Sequence, residues 1–284
     1  MRYQKYNKKI GFQGSEGANS HLAAKENFPN ASLKSFETFE DLFAAVETEK
    51  VNLAVIPIEN SHSGRVSEIH NLLKETNLHI VGEFFLDIKH HLAAIKGTKL
   101  EEIKEVYSHP QALMQSNANL KKLNLKINSY LNTALAAKFI KKQDKKHLAA
   151  LCTNLAAEIN GLEIIKHDLQ ESKNNKTTFV AIAKDIEELP AKTKDKITTL
   201  LFTARNIPAS IYKCLGGFAT NNINIIKLES YIPGGLSNEA QFYISFEGDT
   251  DDIKVKYALE ELGFYTKSIK LLGVYDADPS RKKK

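Results

Sequence analysis

Four consecutive apolar residues, Leu53 to Ile56, are followed by Pro57 and then by the polar stretch Glu59-Asn60-Ser61. A short apolar run of this kind is typical of a strand buried on both faces of a parallel sheet. Because proline cannot donate to a sheet ladder, the strand is predicted to end near Pro57 and to deliver the polar residues to the carboxyl edge of the sheet. Ligands of open α/β sheets bind at that edge, although an ordinary strand-to-helix turn gives the same pattern.

Apolar runs and amphipathic segments alternate along residues 9–183, which predicts an α/β fold. The other predicted strands are Lys9 to Phe12, Ala31 to Phe36, His79 to Leu86, Ile88 to Ile95, Glu105 to Tyr107, Leu125 to Tyr130, Leu148 to Leu151 and Phe179 to Ala183. The predicted helices are Ser20 to Glu26, Thr38 to Glu47, Val66 to Glu75, two that start at Pro110 and Thr133, and Thr153 to Asn160. Right-handed crossovers would place the first three strands in one parallel sheet. The chain is predicted to cross into a second lobe after Asp87, which gives two α/β lobes around a cleft.

Three glycines, Gly11, Gly14 and Gly17, precede the first helix with a spacing that matches neither a dinucleotide-binding turn nor a P-loop. Asn19 or Ser20 is predicted to cap this helix. Its free N–H groups favour an anion such as a carboxylate, although a capped helix without a ligand explains the pattern equally well.

Two later helices carry boundary signals of their own. Pro110 suits a first helical turn, with Ser108 or His109 as the cap. Gly161 is predicted to close the helix that starts at Thr153.

A charged segment from Ile186 to Lys196, with Pro190 in its middle, is predicted to be a linker. The pattern beyond it predicts β-α-β-β-α-β, the ferredoxin-like arrangement. The predicted elements are Ile197 to Thr203, Ala209 to Thr220, Ile223 to Tyr231, Ala240 to Phe246, Ile253 to Leu262 and Tyr265 to Val274, with a turn at Pro233 to Ser237.

Composition narrows the class of protein. The 284 residues suggest about two domains, and the net charge of +5 has much of its excess in Lys5 to Lys9 and Arg281 to Lys284, which are expected to be solvated tails. The interior mixes both signs of charge, which argues against nucleic-acid binding. No segment approaches the roughly 20 apolar residues of a membrane span, so a soluble, cytoplasmic protein is expected.

The cysteines and the adjacent histidines give no metal or disulfide pattern. Cys152 and Cys214 are far apart and are expected in different domains. His90 and His91 are neighbours on a predicted strand, so their side chains should point to opposite faces and cannot chelate one ion together.

Five short sequence segments resemble those of a known family in their order and spacing. The segments are Gly11 to Ala24, Ile58-Glu-Asn-Ser61 through Gly64-Arg-Val66, Ile80-Val-Gly-Glu83, Tyr107-Ser-His-Pro110 and Asn175-Lys-Thr-Thr-Phe179. They extend over nearly the whole chain, which thereby resembles prephenate dehydratase. The resemblance implies a catalytic domain shaped like a type 2 periplasmic binding protein, followed by a ferredoxin-like βαββαβ ACT regulatory domain.

The resemblance also implies domain boundaries. The dehydratase domain would occupy residues 8–185, with lobe 1 at about 8–86 plus 165–185 and lobe 2 at about 87–164. A linker at 186–195, the ACT domain at 196–275 and a basic tail at 276–284 would follow.

The implied activity is the decarboxylating dehydration of prephenate to phenylpyruvate in L-phenylalanine biosynthesis, a lyase reaction that uses no cofactor and no metal. Thr177 is implied as the hydroxyl that protonates the leaving oxygen. Catalytic residues lining one cleft are implied at Thr177, Asn60, Glu59, Ser61, Gln115 and Ser108. Substrate-binding residues are expected at Thr178, Phe179, Lys176, Arg65, Ser20 and Asn175.

The implied partners are small molecules, with prephenate as substrate and L-phenylalanine as effector, and neither nucleic acid nor membrane is expected. Effector-binding residues are implied at Pro208, Ala209, Ser210, Ile211, Leu228, Glu229 and Ser230. A homodimer or homotetramer through the ACT domain is expected.

The chain departs from the family pattern at two positions. Thr178 replaces the arginine of N-x-T-R-F, and Lys176 or Arg65 is expected to supply the missing charge. In the effector motif, Tyr231-Ile232 stands where Arg-Pro is common. Two alternatives stay open at this point: an arogenate dehydratase, or a catalytically inactive two-lobed ligand sensor.

Overall fold

Strands and helices alternate ahead of Lys196, as the sequence predicts. The computed structural model describes residues 3–172, 174–189, 193–231 and 240–282. Its strands are β1 Lys9–Gln13, β2 Ser32–Phe36, β3 Leu53–Asn60, β4 Gly64–Arg65, β5 His79–Asp87, β6 His91–Ala94, β7 Glu105–Ser108, β8 Lys126–Ser129, β9 Leu148–Cys152, β10 Glu163–Lys166, β11 Lys176–Ala183, β12 Lys196–Ala204, β13 Ile225–Tyr231, β14 Gln241–Glu247 and β15 Thr266–Asp276. Its α-helices are α1 Asn19–Asn27, α2 Phe39–Glu47, α3 Ser67–Glu75, α4 Pro110–Gln115, α5 Asn117–Lys122, α6 Thr133–Gln143, α7 Asn154–Ile159, α8 Ser210–Thr220 and α9 Ile253–Tyr265, with 3₁₀ turns at Leu100–Glu102 and Pro279–Lys282. The short elements β4, α5 and β10 are absent from the sequence-based expectation.

The strands of the described residues form three sheets. A six-stranded sheet has the order β2-β1-β3-β11-β5, with β4 paired to β3, and a five-stranded sheet has the order β10-β6-β9-β7-β8. These two sheets and their helices make the two-lobed α/β fold. Strands β1 and β2 are parallel, as are β7 with β8 and β9, whereas β6 is antiparallel to β9 and β10.

The described chain divides into two compact units. Unit 1 comprises Met1–Ala45, Ala54–Val66 and Phe84–Phe179, and unit 2 comprises Val46–Leu53, Ser67–Glu83 and Val180–Lys284. Cys152 lies in unit 1 and Cys214 in unit 2, and both are buried free thiols. Burial raises the pKa of Cys152 to about 12, which leaves it an inert apolar group.

The strand β3 does not end near Pro57, which corrects the sequence-based expectation. It continues to Asn60, and its last residues pair antiparallel with β4, Glu59 opposite Arg65 and Asn60 opposite Gly64. Proline removes a single N–H donor, which a strand tolerates where that position makes no ladder bond. The polar stretch therefore begins inside the strand.

The helix starts agree only in part with the prediction. Neither Asn19 nor Ser20 caps α1: the N-cap is Ala18, which has no side-chain acceptor, and both polar residues lie inside the first turn. Ser108 is no cap either, because His109 caps α4 by accepting from the N–H of Gln111. The predicted closure of α7 is confirmed, since Gly161 follows the C-cap with φ of +63°.

The C-terminal elements have the predicted β-α-β-β-α-β order. Their four strands form a sheet in the order β13-β14-β12-β15, with antiparallel neighbours, which is the ferredoxin-like arrangement. Phe202, Phe218 and Phe246 are buried between this sheet and its helices. Ala209 is the N-cap of α8 rather than its first residue. The linker residue Pro190 and the turn Pro233 to Ser237 lie outside the described residues.

Unit 2 joins this region to segments from much earlier in the chain. The Lys270 ammonium donates to the carbonyls of Leu73 at 3.0 Å and Lys74 at 2.7 Å, at the C-terminal end of α3. Cations are favourable at that end of a helix because its last carbonyls lack intrahelical partners. The His70 ring stacks on Tyr243 with centroids 5.0 Å apart.

The residues near the C-terminus are not wholly a solvated tail. Arg281 forms a two-pronged ion pair with Glu83, whose side chain is 2% exposed, at 2.5 Å from Nε to Oε1 and 2.7 Å from Nη2 to Oε2. The N–H of Asp278 also donates to Glu83 at 2.9 Å. A buried carboxylate needs such partners because isolated burial of a charge is costly. None of the described helices has the length and apolar character needed to cross a membrane.

Candidate active site

A cavity of about 380 Å³ lies within unit 1, a volume in the range of small-molecule sites. Its wall comes from the turn between β1 and α1, the end of β3 with β4, the starts of α4 and α6, and the start of β11. The lining residues are Gln13, Gly14, Ser15, Ala18, Asn19, Ser20, Pro57, Asn60, Ser63, Gly64, Arg65, Val66, Ile88, His90, His109, Gln111, Ala112, Gln115, Asn132, Thr133, Asn175, Thr177 and Phe179.

The strand β11 presents alternate residues to this cavity. It begins at Lys176 rather than at the predicted Phe179. Successive side chains of a strand point to opposite faces, and accordingly Asn175, Thr177 and Phe179 line the cavity whereas Lys176 and Thr178 do not. Thr177 is 8% exposed.

The orientation of the Asn60 amide follows from its neighbours. Its Oδ1 accepts from the backbone N–H groups of His62 and Ser63, each at 3.0 Å. A backbone N–H can only donate, so this atom is the oxygen and the other end is the NH₂ group. That NH₂ donates to Thr177 Oγ1 at 2.9 Å and to Asn175 Oδ1 at 2.7 Å. The Thr177 oxygen is therefore an acceptor from Asn60, which leaves its own proton to be donated elsewhere.

A second amide is oriented by the first. Because Asn175 Oδ1 accepts from Asn60, its NH₂ end donates, and it does so to Gln115 Oε1 at 3.0 Å. Gln115 then holds its oxygen towards Asn175. Its own NH₂ makes no hydrogen bond within the described residues, and Gln115 lines the cavity.

Three residues expected in the lining lie outside it. Ser108 is fully buried and its hydroxyl donates to the Leu151 carbonyl at 2.5 Å, joining β7 to β9. Ser61 donates to the Asn174 carbonyl at 3.1 Å, so it holds the Asn60 segment against the start of β11. Glu59 belongs to β3 opposite Arg65. The structure therefore places these three residues outside the cavity lining, with Ser108 and Ser61 hydrogen-bonded to the backbone of neighbouring segments.

Arg65 brings a guanidinium group to the cavity wall, and Glu59 is its direct partner in the pairing of β3 with β4. Within the described residues, the lining of the cavity itself includes no aspartate or glutamate. The first turn of α1, with Ser20, also faces it, and helix N–H groups favour anions. Lys176 lies outside, with its ammonium 3.6 Å from Asp87. The site therefore suits a negatively charged molecule.

Sequence reasoning missed several lining residues. Ser63 and Gln111 hydrogen-bond to each other from distant segments, and no local pattern marks such a pair. His90 is 3% exposed, and burial lowers its pKa, so it is neutral near neutral pH. His90 lines this cavity while His91 lines another, which agrees with the expectation that they cannot share an ion.

The predicted effector residues lie in unit 2. Ala209, with φ of +57°, is the N-cap of α8 and Ser210 is its first residue, while Leu228, Glu229 and Ser230 belong to β13 and pair with β14. The Glu229 carboxylate lies 3.1 Å from the Lys227 ammonium on the same strand. The departure at Ile232 lies outside the described residues.

Comparison with known proteins gives consistent matches. The prephenate dehydratase family model matches residues 10–187. A bifunctional N-acyl-homoserine lactone acylase/prephenate dehydratase of Komagataeibacter europaeus is 37% identical over 274 residues, which cover 96% of this chain and 98% of that protein. Arogenate dehydratase 2 of Petunia hybrida is 36% identical over 284 residues, which cover 95% of this chain and 72% of that protein.

A solved structure shows the same fold. The prephenate dehydratase of Arthrobacter aurescens, in complex with L-Phe, superposes with a TM-score of 0.84 at 24% identity, over 95% of this chain and 90% of that one. The family match spans more than half of the chain and includes the strands that carry Asn60 and Thr177. The chain therefore belongs to the prephenate dehydratase family.

Proposed function

We propose that this protein converts prephenate to phenylpyruvate, carbon dioxide and water in the cavity of unit 1. The observation that carries the proposal is the Thr177 hydroxyl, which accepts a hydrogen bond from Asn60 at 2.9 Å and lies in a cavity that Arg65 also lines. This arrangement meets the two needs of the reaction, which are to hold a dianion and to assist a leaving hydroxide.

The chemistry balances without a cofactor. The bond from the ring to its carboxylate breaks and releases carbon dioxide, and its electron pair moves into the ring. The carbon–oxygen bond across the ring breaks, and the oxygen leaves as water after gaining one proton. The new aromatic ring provides the driving force, so the protein supplies only binding and a proton donor.

Thr177 provides that proton donor. A threonine hydroxyl is a weak acid, so the proton moves late, when the leaving oxygen already carries most of a negative charge. The Asn60 NH₂ then stabilises the charge that grows on Thr177 Oγ1. A well-placed proton donor contributes about 10² to 10⁴ in rate. Solvent returns the proton to Thr177 after water has left.

We infer a preference for prephenate over arogenate from the residues that line the cavity. Arogenate carries an ammonium group where prephenate has a keto group, and an ammonium in a confined site needs a carboxylate partner. Within the described residues, the lining offers Arg65 and no carboxylate. Relatives bear both substrates in their names, so the choice of prephenate for this chain is a proposal that rests on the residues of the lining.

Rates on the two substrates test the proposal. Purified full-length protein is given prephenate or arogenate, and the formation of phenylpyruvate or phenylalanine is measured. We expect kcat/KM to be larger for prephenate by about tenfold or more, the factor that corresponds to roughly 1.4 kcal/mol. An equal or larger value for arogenate would reverse the substrate assignment, and no turnover of either would contradict the activity.

The acylase activity in the name of the Komagataeibacter relative is not part of this proposal. A serine nucleophile needs a base in hydrogen-bond reach of its proton. Ser61 Oγ lies 3.1 Å from His62 Nδ1, but its proton is directed to the Asn174 carbonyl, and neither side chain lines the cavity.

The domain organisation and regulation form a second part of the proposal. Residues 8–185 are the dehydratase domain and residues 196–275 an ACT domain that binds L-phenylalanine, through the residues at the start of α8 and on β13. The ferredoxin-like strand order supports this assignment. The Arthrobacter protein of the same fold was solved with L-Phe. Association through this domain into a dimer or tetramer completes the proposal.

Inhibition by phenylalanine is best tested on the full chain. Residues 67–83 share unit 2 with the C-terminal elements, so removing residues 196–284 would expose surface that these segments bury. We expect millimolar phenylalanine to lower the activity and to raise the melting temperature, and Glu229→Gln to weaken both effects. Absence of both effects in the wild-type protein would show that the substitutions at 231 and 232 have abolished or redirected the effector site.

A further inference from the structure

His90 is a buried neutral side chain in the cavity wall that none of the roles described above uses. Its ring nitrogen Nε2 lies 3.0 Å from Gln115 Oε1. Its backbone is fixed on both sides, with its N–H donating to Gln170 Oε1 at 2.9 Å and its carbonyl accepting from the N–H of Leu169 at 2.8 Å. The ring is therefore held in place against the Gln115 amide.

The protonated nitrogen of His90 can be deduced from the amide orientations. The backbone N–H groups of His62 and Ser63 identify the oxygen of Asn60, and through Asn175 they identify the oxygen of Gln115 as the atom that faces His90. An amide oxygen only accepts, so the imidazole must donate from Nε2–H. The neutral ring therefore carries its proton on Nε2 and a lone pair on Nδ1.

In this tautomer the Nδ1 lone pair of His90 needs a hydrogen-bond donor. The Nδ1 atom of His90 is buried and has no hydrogen-bond partner within the described residues. A buried polar atom without a partner is unfavourable and calls for an explanation in terms of what the side chain does elsewhere. We explain it by the role of the other ring nitrogen, Nε2. Together with Asn175, it gives Gln115 Oε1 two hydrogen-bond donors.

We infer that His90 is a positioning residue that locks the Gln115 amide with its NH₂ group available to a substrate carboxylate. Two donors on Oε1 forbid the flipped amide, because that orientation would set NH₂ against the donors of His90 and Asn175. The inference rests on the proposed function, in which the substrate is a dianion and a neutral NH₂ donor binds one of its carboxylates. A neutral donor also avoids anchoring the carboxylate that leaves as carbon dioxide.

Two substitutions at His90 separate positioning from packing. His90→Gln places an amide NH₂ close to where Nε2–H stands, whereas the shorter side chain of His90→Asn cannot reach Gln115. We expect His90→Asn to raise KM for prephenate by about tenfold, with a smaller change in kcat, and His90→Gln to restore KM to near its wild-type value.

A double-mutant cycle supplies the readout that packing alone would not change. In a Gln115→Ala background, His90→Asn should raise KM no further, because the amide that it positions is gone. The same increase in KM in both backgrounds would overturn the inference, and so would a His90→Asn protein with a lower melting temperature and an unchanged KM.

A measurement without substrate distinguishes this inference from the proposed function. The side-chain NH₂ signals of Gln115 in ¹⁵N-resolved NMR spectra are identified by their absence from Gln115→Ala. They should keep their position in His90→Gln and shift in His90→Asn, and an unchanged position in His90→Asn would refute the positioning role. If wild-type protein does not turn over prephenate, the proposed function fails, while these signals still decide whether His90 holds Gln115.

Discussion

Asn60 and Thr177 are 117 residues apart in the sequence, and the Asn60 NH₂ group donates to the Thr177 hydroxyl oxygen at 2.9 Å. The direction of this bond is fixed by two backbone N–H groups on the other end of the Asn60 amide. Thr177 therefore has its oxygen engaged and its proton available, which is the state that a proton donor requires. This relationship makes the catalytic account specific enough to test.

Changing Asn60 to aspartate tests the direction of that hydrogen bond. Asn60→Asp keeps an oxygen for the N–H groups of His62 and Ser63 and removes the donor to Thr177. We expect kcat for prephenate to fall by about 10², with a melting temperature close to that of the wild-type protein. Asn60→Ala should lower both, because it also removes the acceptor. An Asn60→Asp protein with wild-type kcat would show that Thr177 needs no donor.

The alternation of side chains along β11 predicts which residue supplies the positive charge of the arginine that the family has at position 178. Position 178 lies on the strand face opposite Thr177, and Lys176 is outside the cavity beside Asp87. We expect Arg65→Met to raise KM for prephenate by about tenfold or more, because charged hydrogen bonds contribute roughly 1.5 to 3 kcal/mol. The matched variant Lys176→Met should leave KM within about twofold of the wild-type value.

Introducing the arginine of the family at position 178 is the complementary experiment. Thr178→Arg should not lower KM, since the new side chain would start from the face that points away from the cavity. A decrease of about tenfold or more would mean that residue 178 reaches the substrate and that Arg65 does not replace it.

The pH dependence of stability follows from burial of His90. Burial lowers the pKa of His90 below its ordinary value of about 6.5, with a smaller opposing effect of the Gln115 hydrogen bond. The unfolded chain therefore takes up this proton at a higher pH than the folded chain. The contribution to stability is complete above about pH 6.5 and is lost as the pH falls towards the lowered pKa.

Melting temperatures measured between about pH 7.5 and 5 test this sign. His90→Gln should show a smaller decrease on acidification than the wild-type protein, because it removes one proton-binding group of the unfolded chain. The matched control is His147→Asn, at an exposed position. Identical decreases in the wild-type and His90→Gln proteins would contradict the lowered pKa.

The ion pair between Arg281 and Glu83 predicts a large effect on stability near the C-terminus. Arg281→Met leaves a buried carboxylate without its main partner, and breaking such a pair costs about 3 to 5 kcal/mol in the free energy of unfolding. Lys256→Met breaks the exposed pair with Asp251 at 3.7 Å and should cost less than about 1 kcal/mol. Chemical denaturation measures both, and equal small losses would show that Arg281 is solvated.

The fold was largely predictable because the strands and helices have strong periodic signals. The apolar positions of α2, such as Phe39 and Leu42, are buried as a helical period requires. The ends of elements were less predictable, because they depend on contacts with distant segments. Pro57 stays inside β3, whose end pairs with β4, and Arg281 is fixed by a residue 198 positions away.

The residues of the candidate site were predictable in part, where they belong to a recognisable sequence motif. Asn60, Gln115 and Thr177 line the cavity as expected, while Glu59, Ser61 and Ser108 do not. The alternation of a strand decides which residues of Asn175 to Phe179 face the cavity, and that required the start of β11 to be known. His90 was considered only as a metal ligand, because its contact with Gln115 exists only in the folded chain.

The most direct test of the account is the rate of phenylpyruvate formation from prephenate by the wild-type and Thr177→Ala proteins, with Thr178→Ala as the control on the opposite strand face. We expect wild-type turnover without added metal or cofactor, a decrease in kcat of about 10² or more for Thr177→Ala at a nearly unchanged KM, and little change for Thr178→Ala. A decrease of less than about fivefold for Thr177→Ala would contradict the role of its hydroxyl as the proton donor.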